Sequence, residues 1–338
     1  MKKKLNVLQK NICFFESGTE AIVAALKAAA KNEKIVAAVP DFFCNRVLLL
    51  LRMNNITYRF YSLDEKLCFN ENSHRQCLEQ ECNFFIIPHL FVHKNFDSFV
   101  EKIANQKKYC LIDVCQTYDA MFDKNKIIKC DYVSYALSFG HSKPSQSSGG
   151  GALIFFGKNF TQNLMNIISG DFFSDFICES KFFQDRYDFL NHEFQQSVLN
   201  KFTRKYQMIS EKNAAKAYEN LSRMIDEKQQ EKNYYSLEKC LKNIFGHSSL
   251  RYVEMEAIPS IFALHLEGKR YSVGKKLSEL GIETTWYYPK NFDAPANSIA
   301  ENIRKNILIL PFSRYHQDVQ QLIEALKKYE NYYKKNKY

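Results

Sequence analysis

From Asn11 to about Lys158, short apolar runs of strand length alternate with helical segments, and this rhythm constrains the fold more than any other feature of the chain. The runs Val36-Ala-Ala-Val-Pro40, Phe84-Phe-Ile-Ile-Pro88, Tyr109-Cys-Leu-Ile-Asp113 and Asp131 to Ser138 read as strands. Alternation of this kind is the βαβ pattern of a mainly parallel sheet with helices on both faces. At 338 residues the chain is long for one core and suits two subdomains. A helical pattern from Ser210 to about Asn243, with Ala214, Ala217, Leu221 and Met224 on one stripe, reads as the bridge between them. A small α/β unit then runs from the strand Ser260 to Leu266 to the end. The expected division is a large domain over 1–228, bridge included, and a small one over 229–338. The aromatic-rich stretch after Gly170 has no clean period and reads either as a substrate or dimer loop or, more simply, as surface helices packing their Phe residues. No internal repeat or low-complexity linker is present.

Open α/β sheets place their ligand groups at the carboxyl ends of strands, and three segments put chemistry there. In the first, an apolar run ends in Ser17-Gly18-Thr19 and leads into an alanine-rich helix. Ser17 or Thr19 can cap that helix, Gly18 allows close backbone approach, and the free N–H groups make an anion site; an ordinary capped helix has the same letters. In the second, Asp113 ends an apolar run, where it either caps the next turn or holds a heteroaromatic nitrogen protonated. In the third, Ser138-Phe-Gly-His-Ser-Lys143 leads through Gly149-Gly150-Gly151 into another apolar strand. A lysine held there, shielded from water, can be kept partly neutral and can form a Schiff base, although many lysines near Gly and Ser are solvated loop residues. Together an anion site, a carboxylate and a lysine, each at a strand end, fit pyridoxal 5'-phosphate: phosphate on the helix start, ring nitrogen on Asp113, C4′ on Lys143.

The order and spacing resemble fold-type-I pyridoxal-phosphate enzymes, and most closely the DegT/DnrJ/EryC1/StrS family of sugar aminotransferases. Val36 to Cys44 looks like the family's strand and Pro-containing loop, which sets a side chain against the cofactor ring. Strict alignment from Pro40 gives Cys44, while Phe42 and Phe43 offer the aromatic face. Pro88-His89-Leu-Phe91 looks like the family's His-Leu-aromatic turn, and Asp113-Val-Cys-Gln116 is similar to its Asp-x-x-Gln. Ser138 and Lys143 match its lysine motif; Leu280-Gly281-Ile282 through Tyr288-Pro289, and Ile309-Leu310-Pro311-Phe312 with a helix over Asp318 to Tyr329, resemble its closing segments. The resemblance implies a large mainly parallel-sheet domain plus a small C-terminal α/β domain. It implies Lys143 and Asp113 as catalytic residues, Gln116 near the ring hydroxyl, and Ser17, Gly18, Thr19, Phe43, Cys44 and Ser138 as further cofactor contacts.

Two departures stand out. Family members carry several helical turns before Ser-Gly-Thr, whereas here that motif begins at Ser17. The family's Asn-x-Arg should fall near Tyr206-Gln207-Met208, and neither residue is there, which puts a phosphate contact across a dimer in question.

Composition excludes several alternatives. The apolar fraction of 46% is that of a globular chain. No apolar stretch approaches the roughly 18 residues of a membrane span. The basic start Met1-Lys-Lys-Lys has no hydrophobic region or cleavage site behind it, so the expected location is the cytoplasm. The ten cysteines are scattered without a Cys-x-x-Cys and read as reduced core residues. The eight histidines show no helical metal pattern; His89 and His93 are suitably spaced but lie in a strand and turn, so no metal is expected. The net charge of +10 is diluted, and the Lys- and Tyr-rich tail after Lys327 reads as a solvated helix end, so nucleic acid is not an expected partner.

By the resemblance, the expected activity is transfer of an amino group from glutamate to a nucleotide-linked keto-sugar of surface-polysaccharide or amino-sugar synthesis, in a homodimer. The competing reading is an enzyme of the same fold acting on another substrate or doing other chemistry. A class V enzyme such as a cysteine desulfurase fits less well: Ser142 separates His141 from Lys143, and neither Cys178 nor Cys240 has a glycine-flanked loop.

Overall fold

The computed structural model describes residues 12–15, 17–30, 34–64, 68–89, 95–115, 128–139, 150–169, 227–246, 262–282, 284, 299–310 and 319–335. Gln116, Lys143, His93, the 170–226 stretch and the 285–298 and 311–318 segments lie outside them, and with them the expectations placed there. In chain order the first half runs β1 (Ile12–Phe15), α1 (Gly18–Ala30), β2 (Val36–Pro40), α2 (Asn45–Met53), β3 (Thr57–Tyr61), α3 (Glu71–Glu79), β4 (Phe84–Pro88), α4 (Phe96–Asn105), β5 (Tyr109–Asp113), β6 (Val133–Ser138), β7 (Gly151–Phe155) and α5 (Lys158–Ser169). The second half has α6 (Glu227–Phe245), β8 (Phe262–His265), α7 (Arg270–Glu279), α8 (Ile299–Asn306), β9 (Ile307–Leu310) and α9 (Val319–Lys335).

The first seven strands form one sheet in the order β1-β7-β6-β5-β4-β2-β3. All run parallel except β7, which is antiparallel to both β1 and β6. The central strands β4 and β5 are buried almost throughout, as strands covered by helices on both faces must be. Alternation of side chains sorts the core into two layers. Ala37, Val39, Phe84, Ile86, Leu111 and Leu153 face α1, α2 and α5. Ala38, Phe85, Ile87, Cys110, Ile112 and Tyr135 face the other way, toward α3 and α4.

Helix α1 crosses the sheet. β1 and β2 lie five positions apart, about 24 Å at the usual strand spacing, and the 13 residues of α1 span about 20 Å. Its alanines let it lie close: Ala21, Ala24, Ala25 and Ala28 are completely buried.

Helices α2, α3 and α4 each end with the chain turned by one residue in the left-handed region, Asn55, Glu81 and Lys107, with φ of 54°, 57° and 57°. At each end an N–H reaches back five residues: Ile56 to Leu51, Cys82 to Cys77 and Lys108 to Ile103. These bonds satisfy carbonyls the helices leave open. Cys77 and Cys82 form the apolar contact of the α3 turn, and burial raises both thiol pKa values. Among the described residues every cysteine is a free thiol.

Strands β8 and β9 form an antiparallel pair, with Phe262 opposite Leu310 and His265 opposite Ile307. One face, Phe262, Leu264, Leu308 and Leu310, packs on α6, α7 and α9. The other, Ala263, Ile307 and Ile309, joins Ala300 and Ile303 of α8 in the same cluster as the α3 and α4 side of the large sheet. The C-terminal helix runs to Lys335, past the expected end at Tyr329, and Tyr329 is buried against Phe245 at 5.5 Å between rings. Among the described residues no helix is long and apolar enough to cross a membrane, and no cluster of His, Cys, Asp and Glu could hold a metal ion.

Candidate active site

The carboxyl edge of the sheet gathers several residues singled out by sequence. Ser17 caps α1: its Oγ accepts from the Glu20 N–H at 3.2 Å and its carbonyl from the Ala21 N–H at 3.2 Å. The N–H groups of Gly18 and Thr19 precede the first helical acceptors, so the start of α1 carries donors and the positive end of the helix dipole.

Gly18 has no space for a side chain. A Cβ there would stand 2.8 Å from both the Leu137 carbonyl and the Ser138 Cβ, and 3.1 Å from the Cys115 sulfur. A Cβ on Gly151 would run into the Ser17–Gly18 peptide. The two glycines thus press the start of α1 against the ends of β5, β6 and β7. Ser138 closes β6 opposite Gly151, half-buried.

Asp113 closes β5, paired with Pro88 of β4 and Ala136 of β6. Its carbonyl accepts from the His89 N–H at 2.8 Å and its Oδ1 from the Cys115 N–H at 3.0 Å. The carboxylate therefore makes the local turn contact anticipated for a strand-end aspartate. Among the described residues no donor meets its Oδ2, and the side chain is only half-buried.

Phe139 donates its N–H to the Gly150 carbonyl at 2.8 Å, and Ser17 forms a β-bridge with Gly150. Phe139 and Gly150, which flank residues 140–149 in the sequence, are thereby joined beside the start of α1.

The Asp41–Cys44 turn leaves β2 two strands from β5, about 10 Å along the same edge. Its two phenylalanines part: Phe42, 2% exposed, enters the α3 and α4 layer, and Phe43, 1% exposed, enters the α1 and α2 layer. Both rings are almost fully buried in those layers. Cys44 is half-buried at the start of α2, where its side chain makes no capping bond.

Sequence reading missed what holds this turn. Asp41, almost fully buried, donates its N–H to the Tyr61 carbonyl at 2.9 Å, and its Oδ2 accepts from the Ser62 hydroxyl at 3.0 Å. Its carbonyl accepts from Arg304 Nη2 at 2.6 Å, from α8. Burial raises the Asp41 pKa and lowers that of Arg304; each charge partly offsets the other's shift. No local pattern marks Arg304, because its partner is 263 residues away.

A seven-stranded sheet with one reversed strand, a cross-sheet first helix and a small second sheet is the architecture of the fold-type-I pyridoxal-phosphate-dependent transferases, and this chain has that fold. Its structural neighbours are DegT/DnrJ/EryC1/StrS aminotransferases and related enzymes. It is similar to a DegT DnrJ EryC1 StrS aminotransferase from Brucella abortus with TM-score 0.68 and 15% identity, over 97% of this chain and 88% of that one. The sugar aminotransferase CalS13 from Micromonospora echinospora gives TM-score 0.68 and 14% identity, over 97% and 90%. The E. coli GDP-4-keto-6-deoxy-D-mannose-3-dehydratase, solved with hydrated pyridoxal phosphate bound, gives 0.63 and 16%, over 93% and 87%. No known family profile matches the sequence, and no curated protein matches it either. At these identities the likeness is one of fold.

Proposed function

We propose that the chain is a pyridoxal-phosphate-dependent aminotransferase that moves an amino group from an amino acid, glutamate first among candidates, to a keto-sugar carried on a nucleotide. The observation that supports this most is the packing of the α1 start against Ser138, with Asp113 on the same carboxyl edge and with Phe139 and Gly150, which flank the Lys143 segment, joined beside it. The donor set suits a ligand that is anionic at one end and has a basic ring nitrogen at the other. Helix N–H groups and the hydroxyls of Ser17, Thr19 and Ser138 would hold the phosphate. The Oδ2 of Asp113 would keep a proton on the ring nitrogen, and Gln116 would meet the ring hydroxyl. Cys44 rather than Phe43 would stand against the ring face. When bound, pyridoxal phosphate supplies an electron sink for a carbanion at the substrate carbon. Lys143 would hold the carbonyl carbon of the resting cofactor and, once displaced, would carry the proton to and from the substrate carbon as general base and acid.

The division at residue 228, the homodimer and the cytoplasmic location belong to the same proposal. Variants test the two roles separately. Asp113→Asn is expected to bind pyridoxal phosphate and lose most turnover, a fall of at least about 100-fold. Lys143→Ala is expected to lose the visible absorbance band of the bound cofactor. Full turnover by Asp113→Asn would remove the aspartate's role, and a wild-type band in Lys143→Ala would put the attachment elsewhere.

A further inference from the structure

We propose that Arg304 is a positioning residue: from α8 it fixes the Asp41–Cys44 turn and thereby sets where Cys44 stands at the carboxyl edge of the large sheet. The functional side of this inference rests on the cofactor site proposed above; the structural side does not.

The turn is held from two directions. On the side of the large domain, the Asp41 N–H is bonded to Tyr61, and its Oδ2 accepts from Ser62. Ser62 is itself fixed by α3, through its N–H to Gln76 Oε1 at 3.0 Å and its carbonyl to the Ser73 hydroxyl. On the other side, the Asp41 carbonyl, the group that leads into Phe42, is held by Arg304 Nη2 at 2.6 Å. The same guanidinium lies 6.0 Å from the centre of the Phe42 ring. Cys44 is three residues along.

Arg304 is only 8% exposed, and its Nε and Nη1 are buried without a hydrogen-bond partner among the described residues. A buried guanidinium with two idle donors is a costly way to fill a domain contact, because an apolar side chain of similar size packs there without the desolvation cost. What the arginine supplies that an apolar residue lacks is a fixed donor on the Asp41 carbonyl and a positive charge beside the Asp41 carboxylate. The placement of Cys44 therefore depends on how α8 is seated, and α8 belongs to the part of the chain that carries β8 and β9.

The first test uses the protein without cofactor. Wild type and Arg304→Gln are labelled with iodoacetamide, and the rate at each cysteine is read by peptide mass spectrometry. The clasp predicts that Cys44 reacts about tenfold faster in the variant, while Cys130 and Cys240, also half-buried, keep their rates. No change at Cys44, or an equal rise at all three, would overturn it. Arg304→Met removes the donor and the charge while filling much of the same space, and carries the same test if the glutamine variant does not fold. The second test is titration with pyridoxal phosphate, for which Arg304→Gln is expected to show a dissociation constant raised about tenfold. Lys305→Gln, on the exposed side of α8, is expected to match wild type. An unchanged constant in Arg304→Gln would overturn the link from the clasp to the cofactor. If wild type itself does not bind pyridoxal phosphate, the functional proposal falls, and labelling at Cys44 still decides the clasp.

Discussion

Gly18 decides how closely the first helix approaches the sheet, and that approach shapes the edge proposed to hold the cofactor's phosphate. His74 is a second residue whose surroundings have a measurable consequence. It is 3% exposed on α3, its ring 6.2 Å from that of Phe85, and its Nε2 has no hydrogen-bond partner among the described residues. Burial lowers its pKa, and Lys102 and Lys108 lower it further, against a smaller opposing effect of Glu71. The folded state therefore keeps the imidazole neutral at a pH where the unfolded chain has begun to protonate it. Stability from this group is fully present above the unfolded value of about 6.5 and is lost as pH falls from there toward the folded value. Urea melts of His74→Phe should show a smaller loss of stability than wild type between pH 7 and pH 5; equal losses would mean that the histidine is not the titrating group. Sequence reading went furthest at this scale where partners are local. The cap by Ser17 and the turn contact of Asp113 involve residues two or three positions away. Arg304 and Asp41 are joined only by the fold, and the opposite fates of Phe42 and Phe43 follow from the turn that separates them.

The helix ends of the large domain carry stored cost at the element scale. Asn55, Glu81 and Lys107 occupy a left-handed position that glycine accepts more readily. Asparagine tolerates it best of the three, so Glu81 and Lys107 are the informative sites. Glu81→Gly is expected to raise stability by about 1 kcal/mol in urea unfolding, and a loss of that size would show that the Glu81 side chain contributes more than its backbone costs. The strands β2, β4, β5 and β6 were legible because each is an apolar run bounded by polar or turn residues, and burial on both faces demands such runs. Helix α8 was not, because it has eight residues and its Arg304, Lys305 and Asn306 look like a solvated end. The resemblance gives the last helix a run over Asp318 to Tyr329, and one buried stripe, Leu322, Leu326 and Tyr329, anchors a helix whose Lys- and Tyr-rich end continues to Lys335.

At the scale of the whole molecule, the small sheet shares a core with the large one. Ile309 is fully buried, and its cluster contains Phe85, Ile112 and Tyr135 as well as Ile303 and Ile307. Truncation there should weaken both parts together. Ile309→Ala is expected to cost about 3 kcal/mol and to leave a single unfolding transition, whereas two resolved transitions would show that the parts unfold independently. The proposed cofactor site lies at the edge that this shared core supports. The measurement that tests it most directly is the visible spectrum of the purified protein with added pyridoxal phosphate, before and after glutamate. The expected result is a visible band that Lys143→Ala lacks and that glutamate abolishes in wild type. A band that glutamate leaves unchanged would keep the cofactor and contradict the donor, moving the reaction to other chemistry. No band at all would contradict the cofactor.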